Sequence, residues 1–198
     1  MPMRDESHYA DRVFKEEDLE EGELEEIEYV DCRFEHCSLA SSTFRKCRFV
    51  GCTFDACDLS LVKWEGCSFS GVRFEECKAI GIDWTLAAWP LVVMPDTIAF
   101  SDSAINHSTF LGLKLPGLMV IGCVAREADF READLSGSDF SGTDLEGSLF
   151  ASTNLSGADL SRARNYRIAP AENRLRGAKF SMPEATSLLY CMEIEIVE

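Results

Sequence analysis

Large apolar residues recur along this chain at every fifth position. The series runs Phe34, Leu39, Phe44, Phe49, Phe54, Leu59, Trp64, Phe69, Phe74, Ala79, Trp84, Trp89, Met94, and twelve of these thirteen are large. At PDTIAF, residues 95–100, the beat slips by one residue. It resumes as Phe100, Ile105, Phe110, Leu115, Val120, Ala125, Phe130, Leu135, Phe140, Leu145, Phe150, Leu155, Leu160, again with twelve of thirteen large. Two residues before the large one stands a small one, as in Cys52, Cys57, Cys67, Cys123, Ala128, Ser138, Thr143 and Ala158. The remaining three positions of each unit are mostly Asp, Glu, Arg, Ser and Gly. A helix repeats every 3.6 residues and a flat strand every 2, so a period of five fits neither. It fits a chain that turns a corner every five residues with its large and small positions inward. One such coil cannot bury its inner face alone, whereas stacked coils bury it continuously. The slip at PDTIAF reads as a one-residue bulge or corner bend, with a vestigial loop as the other reading.

The run ADFREADLSGSDFSGTDLEGSLFASTNLSGADL, residues 128–160, resembles the A-D/N-L-x-x signature of pentapeptide repeat proteins. The resemblance extends over roughly residues 27–160. It implies an all-β fold, a right-handed quadrilateral β-helix with four pentapeptides per coil. At ~20 residues per coil and a strand spacing of ~4.8 Å, six to seven coils would make a rod roughly 30 Å long. The expected division is an irregular acidic segment and first coil over 1–26, the β-helix over 27–164, and a C-terminal cap and dimerisation segment over 165–198.

Eight of the nine cysteines (32, 37, 47, 52, 57, 67, 77, 123) occupy the small inward position. Residues twenty apart lie one coil apart, so Cys37, Cys57 and Cys77 should form one column. Cysteine serves there as a compact buried filler. Zinc needs closely spaced pairs that converge on one point, and cysteines five apart lie on different faces of a square. No metal and no cofactor is expected. The start MPMRDESHYADR is polar, with no apolar stretch for a signal peptide. AIGIDWTLAAWPLVVM, residues 79–94, is interrupted by Asp83 and Pro90. A cytoplasmic protein with free thiols and no membrane association is expected.

The ends need caps, because open strand edges invite aggregation. Ten acids and no base lie between residues 16 and 31. Phe14, Leu19, Leu24 and Tyr29 keep the beat there, but Arg12, Glu17 and Gly22 do not suit an interior, so a frayed first coil is expected. At the other end SMPE (181–184) reads as a capping box, with Ser181 as N-cap and Glu184 at N3. Ala185, Leu188, Leu189 and Met192 follow at helical spacing. Ile194 and Ile196 then alternate like a short strand.

The chain carries 35 acids against 19 bases, a net charge of −16. Such a surface repels phosphate backbones, so direct nucleic-acid binding is not expected. It suits either a basic protein partner or solubility alone. The C-terminal tail NYRIAPAENRLRGAKFSMPEATSLLYCMEIEI and the stretch around 77–84 are similar to those of the Qnr, MfpA and AlbG group. That resemblance implies a homodimer joined through Leu188, Leu189, Met192, Ile194 and Ile196. It also implies a DNA-like rod that binds DNA gyrase or topoisomerase IV and modulates it or shields it from quinolone- or albicidin-like inhibitors. The chain shows no insertion longer than one residue before Leu160, which places it with the loopless members. The candidate contact residues are Asp129, Glu132, Asp134, Asp139, Asp144, Glu146 and Asp159, with Asp139 and Asp159 on one face. The alternative is a β-helical scaffold for another basic protein. No enzyme is expected: His8, His36 and His107 do not converge, and no phosphate loop or nucleophile elbow occurs.

Overall fold

The chain bends after every three or so residues of strand, and that bend sets the architecture. The computed structural model describes residues 6–90 and 97–192. Its strands are mostly three residues long, such as His8–Ala10, Val13–Lys15 and Glu23–Glu25. Each of these three pairs in parallel with the strand one turn on, twenty residues later. Corners carry positive φ, for example 51° at Glu16, 54° at His36 and 63° at Gly51. At Gly51 a Cβ would also fall 2.1 Å from the Asp31 carboxylate of the turn below, so glycine there spares the Asp31 side chain from moving.

The molecule is a parallel β-helix of about 8 turns with four faces. The first face stacks Tyr9, Tyr29, Phe49 and Phe69. The second stacks Phe14, Phe34, Phe54, Phe74, Phe100 and Val120. The third carries Leu19, Leu39, Leu59, Ala79, Ile105, Ala125 and Leu145, each next to a residue of one continuous bridge column from Asp18 to Arg164. The fourth stacks Leu24, Phe44 and Trp64, then Trp84, Phe110, Phe130 and Phe150. These side chains fill the axis and are buried. On the second face the rings lie nearly parallel, with Phe34 and Phe54 centroids 4.4 Å apart and Phe54 and Phe74 5.1 Å apart. Offset ring stacks of this kind add about 1 kcal/mol each beyond the burial of their area.

The small inward position has a second role. The Cys57 Sγ donates to the Phe34 carbonyl at 3.3 Å and the Asp55 carbonyl at 3.4 Å, and Cys52 and Cys77 repeat the pattern. In later turns Ser103, Thr143 and Thr153 donate to the corresponding carbonyls. Cysteine is therefore a weak hydroxyl equivalent at a corner as well as a filler. All nine cysteines are free thiols.

The structure differs from the sequence expectations in three places. First, the stretch up to residue 26, expected to be irregular with a frayed first coil, forms regular ladders from His8 onward. Tyr9, Phe14, Leu19 and Leu24 are buried, and Arg12 and Glu17 stay outside the axis because the first turn has no neighbour below to enclose them. Second, the slip is six residues rather than one. Phe74 pairs with Phe100, and Lys78 and Asp83 bridge Ala104 and Thr109, all 26 apart. Trp89 still sits over Phe69 at 6.0 Å, so the extra residues enter after it. Six is one pentapeptide plus one, so a five-residue beat registers only the remainder. Met94 falls in 91–96, outside the described residues.

Third, the ladder runs past 164, since Asp159–Leu160 pairs with Lys179–Phe180. The helix is short, Thr186–Tyr190, with Ala185 as N-cap and no side-chain cap bond. Ser181 and Glu184 do not form a capping box. Their oxygens accept the backbone N–H groups of Arg162 and Asn165, so they close the open edge of the last full turn instead. Ile194 and Ile196 lie outside the described residues.

Candidate functional site

The aspartates before the apolar centres have a local task. Asp129, Asp134, Asp139, Asp144 and Asp159 each accept the N–H two residues on, at 2.8–3.3 Å. This fixes the corner that follows. The five residues also spread around the rod. Asp134 lies on the first face, Asp139 and Asp159 on the second, Asp144 on the third and Asp129 on the fourth. Asp139 and Asp159 bridge one another directly, as their spacing of twenty implies.

Most of this charge is matched. Asp144 is 2% exposed and accepts from the Arg126 guanidinium at 2.8 Å and from Asn165 Nδ2 at 2.8 Å. Burial pushes its carboxyl up, but the bonds from Asn165 and Arg126 prevail and hold it below the ordinary aspartate range. Asp129 pairs with Arg131 at 2.7 Å. Asp159 is held down to about 2 by Ser161 and by Lys179, whose Nζ lies 3.1 Å away. Glu146 is exposed and pairs with Arg126 at 3.3 Å, while Glu132 is exposed at a corner with φ 61°. Asp134 accepts from Asn154 Nδ2.

The densest run of acids without ion pairs among the described residues lies at the N-terminal pole. Residues 6–31 hold twelve acids and two bases. Glu23, Glu25, Glu26 and Glu28 pair with Arg45, Lys46 and Arg48 of the next turn. Asp11, Glu16, Glu17, Asp18, Glu20 and Glu21, on the first turn, have no ion pair among the described residues. Asp11, Glu16 and Glu21 sit at positive-φ corners, and all six but the half-buried Glu17 are exposed, so the fold presents them to solvent around the first turn. The charge run was visible in the sequence; its order was not, because the segment breaks the small inward position.

The opposite end is apolar. Met182 is 75% exposed, Tyr190 65%, Met192 53% and Leu189 41%, whereas Leu188 packs against the core. Met182 and Tyr190 join the expected dimer residues on this end. Among the described residues no group of three or more His, Cys, Asp or Glu is placed to hold a metal ion. No helix among them is long and apolar enough to cross a membrane.

Two family profiles match the repeat. One describes a pentapeptide repeat region and covers residues 27–110; the other describes pentapeptide repeats in eight copies and covers 122–164. Together they span more than half of the chain. The chain belongs to the pentapeptide repeat family. No curated protein matches it. Among solved structures, this pentapeptide repeat protein is similar to full-length QnrB1, a plasmid-mediated fluoroquinolone resistance protein. The TM-score is 0.66 at 18% identity, over 94% of this chain and 100% of that one. It is also similar to HetL, a pentapeptide repeat protein involved in heterocyst differentiation regulation, from the cyanobacterium Nostoc. There the TM-score is 0.57 at 14% identity, over 86% of this chain and 84% of that one. At these identities the shared property is the fold.

Proposed function

We propose that this pentapeptide repeat protein is a non-enzymatic binding rod that occupies the DNA-binding surface of a type II topoisomerase, DNA gyrase or topoisomerase IV. The observation that carries this reading is the run of unpaired acids on the first turn, carried by a rigid parallel helix. A surface that holds duplex DNA must be basic, so an acidic rod of regular shape competes for it. Asp139 and Glu132 extend the negative surface along the shaft, beside the exposed but Arg126-paired Glu146. The matched aspartates Asp129, Asp144 and Asp159 serve mainly to fix corners. The fold shared with QnrB1 and the resemblance of the C-terminal tail support the same partner. Protection of the enzyme from a quinolone-like inhibitor would follow from occupying that surface.

The apolar C-terminal end supports a homodimer through Leu188, Leu189 and Met192, with Met182 and Tyr190 at its margin. An isologous contact of this kind closes on itself and leaves both acidic poles outward. At ~4.8 Å per turn, eight turns give ~40 Å per chain and about 80 Å for two.

The test is binding of purified protein to purified gyrase and topoisomerase IV across a salt series. Affinity should fall steeply as salt rises. Glu16→Lys with Glu20→Lys should weaken it at least tenfold. Salt-independent binding, or none at micromolar protein, would remove this reading. The second reading, a scaffold for another basic protein, is favoured by the comparable likeness to HetL. It predicts no topoisomerase binding at all.

A further inference from the structure

Net charge conceals a reversal along the rod. Residues 160–180 hold six bases, Arg162, Arg164, Arg167, Arg174, Arg176 and Lys179, and one acid, Glu172. All six bases are exposed. Arg174 continues the outward column of the first face, Lys179 that of the second and Arg164 that of the third. Arg162 is a positive-φ corner after the second face, and Arg176 pairs its carbonyl with the corner Gly157. The bases therefore follow one another around the last turns as a collar.

This collar is poorly matched within the chain. Lys179 pairs with Asp159, and Arg164 lies 3.8 Å from Asp144, which Arg126 already holds. Arg162, Arg167, Arg174 and Arg176 have no ion pair among the described residues. The nearby Glu184 carboxylate is spent on the Asn165 N–H. Elsewhere the unpaired bases Arg12, Lys63, Arg73 and Lys114 are scattered over separate turns. With nearly two acids per base in the chain, a turn of unneutralised arginines is a feature that the rest of the surface does not share.

We propose that the collar is a docking surface for the phosphate backbone of duplex nucleic acid. Five of the six bases are arginine, whose planar fork meets phosphate oxygens in pairs. An arc of cations suits a partner with closely spaced anions rather than a single anionic group. The collar spans the first, second and third faces of the rod and leaves the apolar end free. This inference goes beyond the topoisomerase reading and does not depend on it. It limits the expectation drawn from net charge to the acidic part of the rod, which repels phosphates while the collar attracts them.

The experiment is fluorescence anisotropy of a labelled 20-base-pair duplex with full-length protein at 50 mM and 300 mM salt. Binding is expected at 50 mM. Contact of four arginines with phosphates gives a slope of about −3.6 in log K against log salt. R162E/R174E/R176E should lose at least tenfold, with an unchanged circular dichroism spectrum. The control K63E/R73E, which removes unpaired bases elsewhere, should change affinity less than twofold. No binding up to 100 µM protein (an upper limit on the order of the weakest non-specific affinities), or equal binding by the triple variant, would overturn the proposal. So would equal or tighter binding of a poly-glutamate of the same charge, which would mark the collar as a site for acidic protein.

Discussion

Ser181 Oγ accepts the backbone N–H of Arg162 at 3.1 Å, in the place where the turn before it uses the Ser161 carbonyl to receive the Gly142 N–H. A side chain thus replaces the next rung where the ladder ends. Ser181→Ala should destabilise the last turn by about 1 kcal/mol, as loss of a helix-capping side chain does. Amide exchange at Arg162 should accelerate while exchange at Phe54 stays unchanged. Equal protection in both proteins would show that Ser181 does not close the edge.

Asp144 is a structural carboxylate. Removing it strands the Asn165 amide and the Glu146 N–H, so Asp144→Ala should cost about 2 kcal/mol, more than Asp139→Ala, which loses one turn bond. Denaturant midpoints compare the two. Folding holds the carboxyls of Asp144 and Asp159 below their ordinary range, to about 2 for Asp159. Depressed carboxyls stabilise the fold above pH ~4, and that contribution is lost as pH falls through the folded values. Stability should therefore decline between about pH 4 and pH 2, and less so in Asp144→Asn.

Burial pushes the Cys52 and Cys123 thiols up to about 12. A raised folded value means that the stabilising effect is complete below about pH 8.5 and is lost as pH rises toward 12. Alkaline unfolding should be less marked in Cys52→Ala with Cys123→Ala. Under native conditions at neutral pH only Cys191, half-buried and outside the repeat, should react with a thiol reagent, against nine in denaturant. A denatured, non-reduced count well below nine would show disulfides.

The five-residue beat makes the architecture legible in the sequence, because each face of the coil demands the same two inward residues. It assigned Phe54 and Cys57 to the axis correctly. It missed what does not repeat. Six extra residues near Trp89 looked like one, and the first turn looked frayed because its small position is Arg12 or Glu17 rather than Cys or Ala. Ser181 and Glu184 have the spacing of a helix cap, but their partners lie a full turn back in the chain, which local spacing does not encode. The same holds for charge. The sequence shows that Asp129, Asp144 and Asp159 are acidic, but the arginine and the lysine that neutralise two of them, Arg126 and Lys179, are brought in by stacking.

Gyrase supercoiling of relaxed plasmid, with increasing amounts of this protein, tests the central claim most directly. Inhibition should set in at micromolar protein, weaken as salt rises, and disappear with Glu16→Lys/Glu20→Lys. In parallel, the yield of quinolone-stabilised cleavage complex should fall. Unchanged supercoiling and unchanged cleavage across that range would contradict the account.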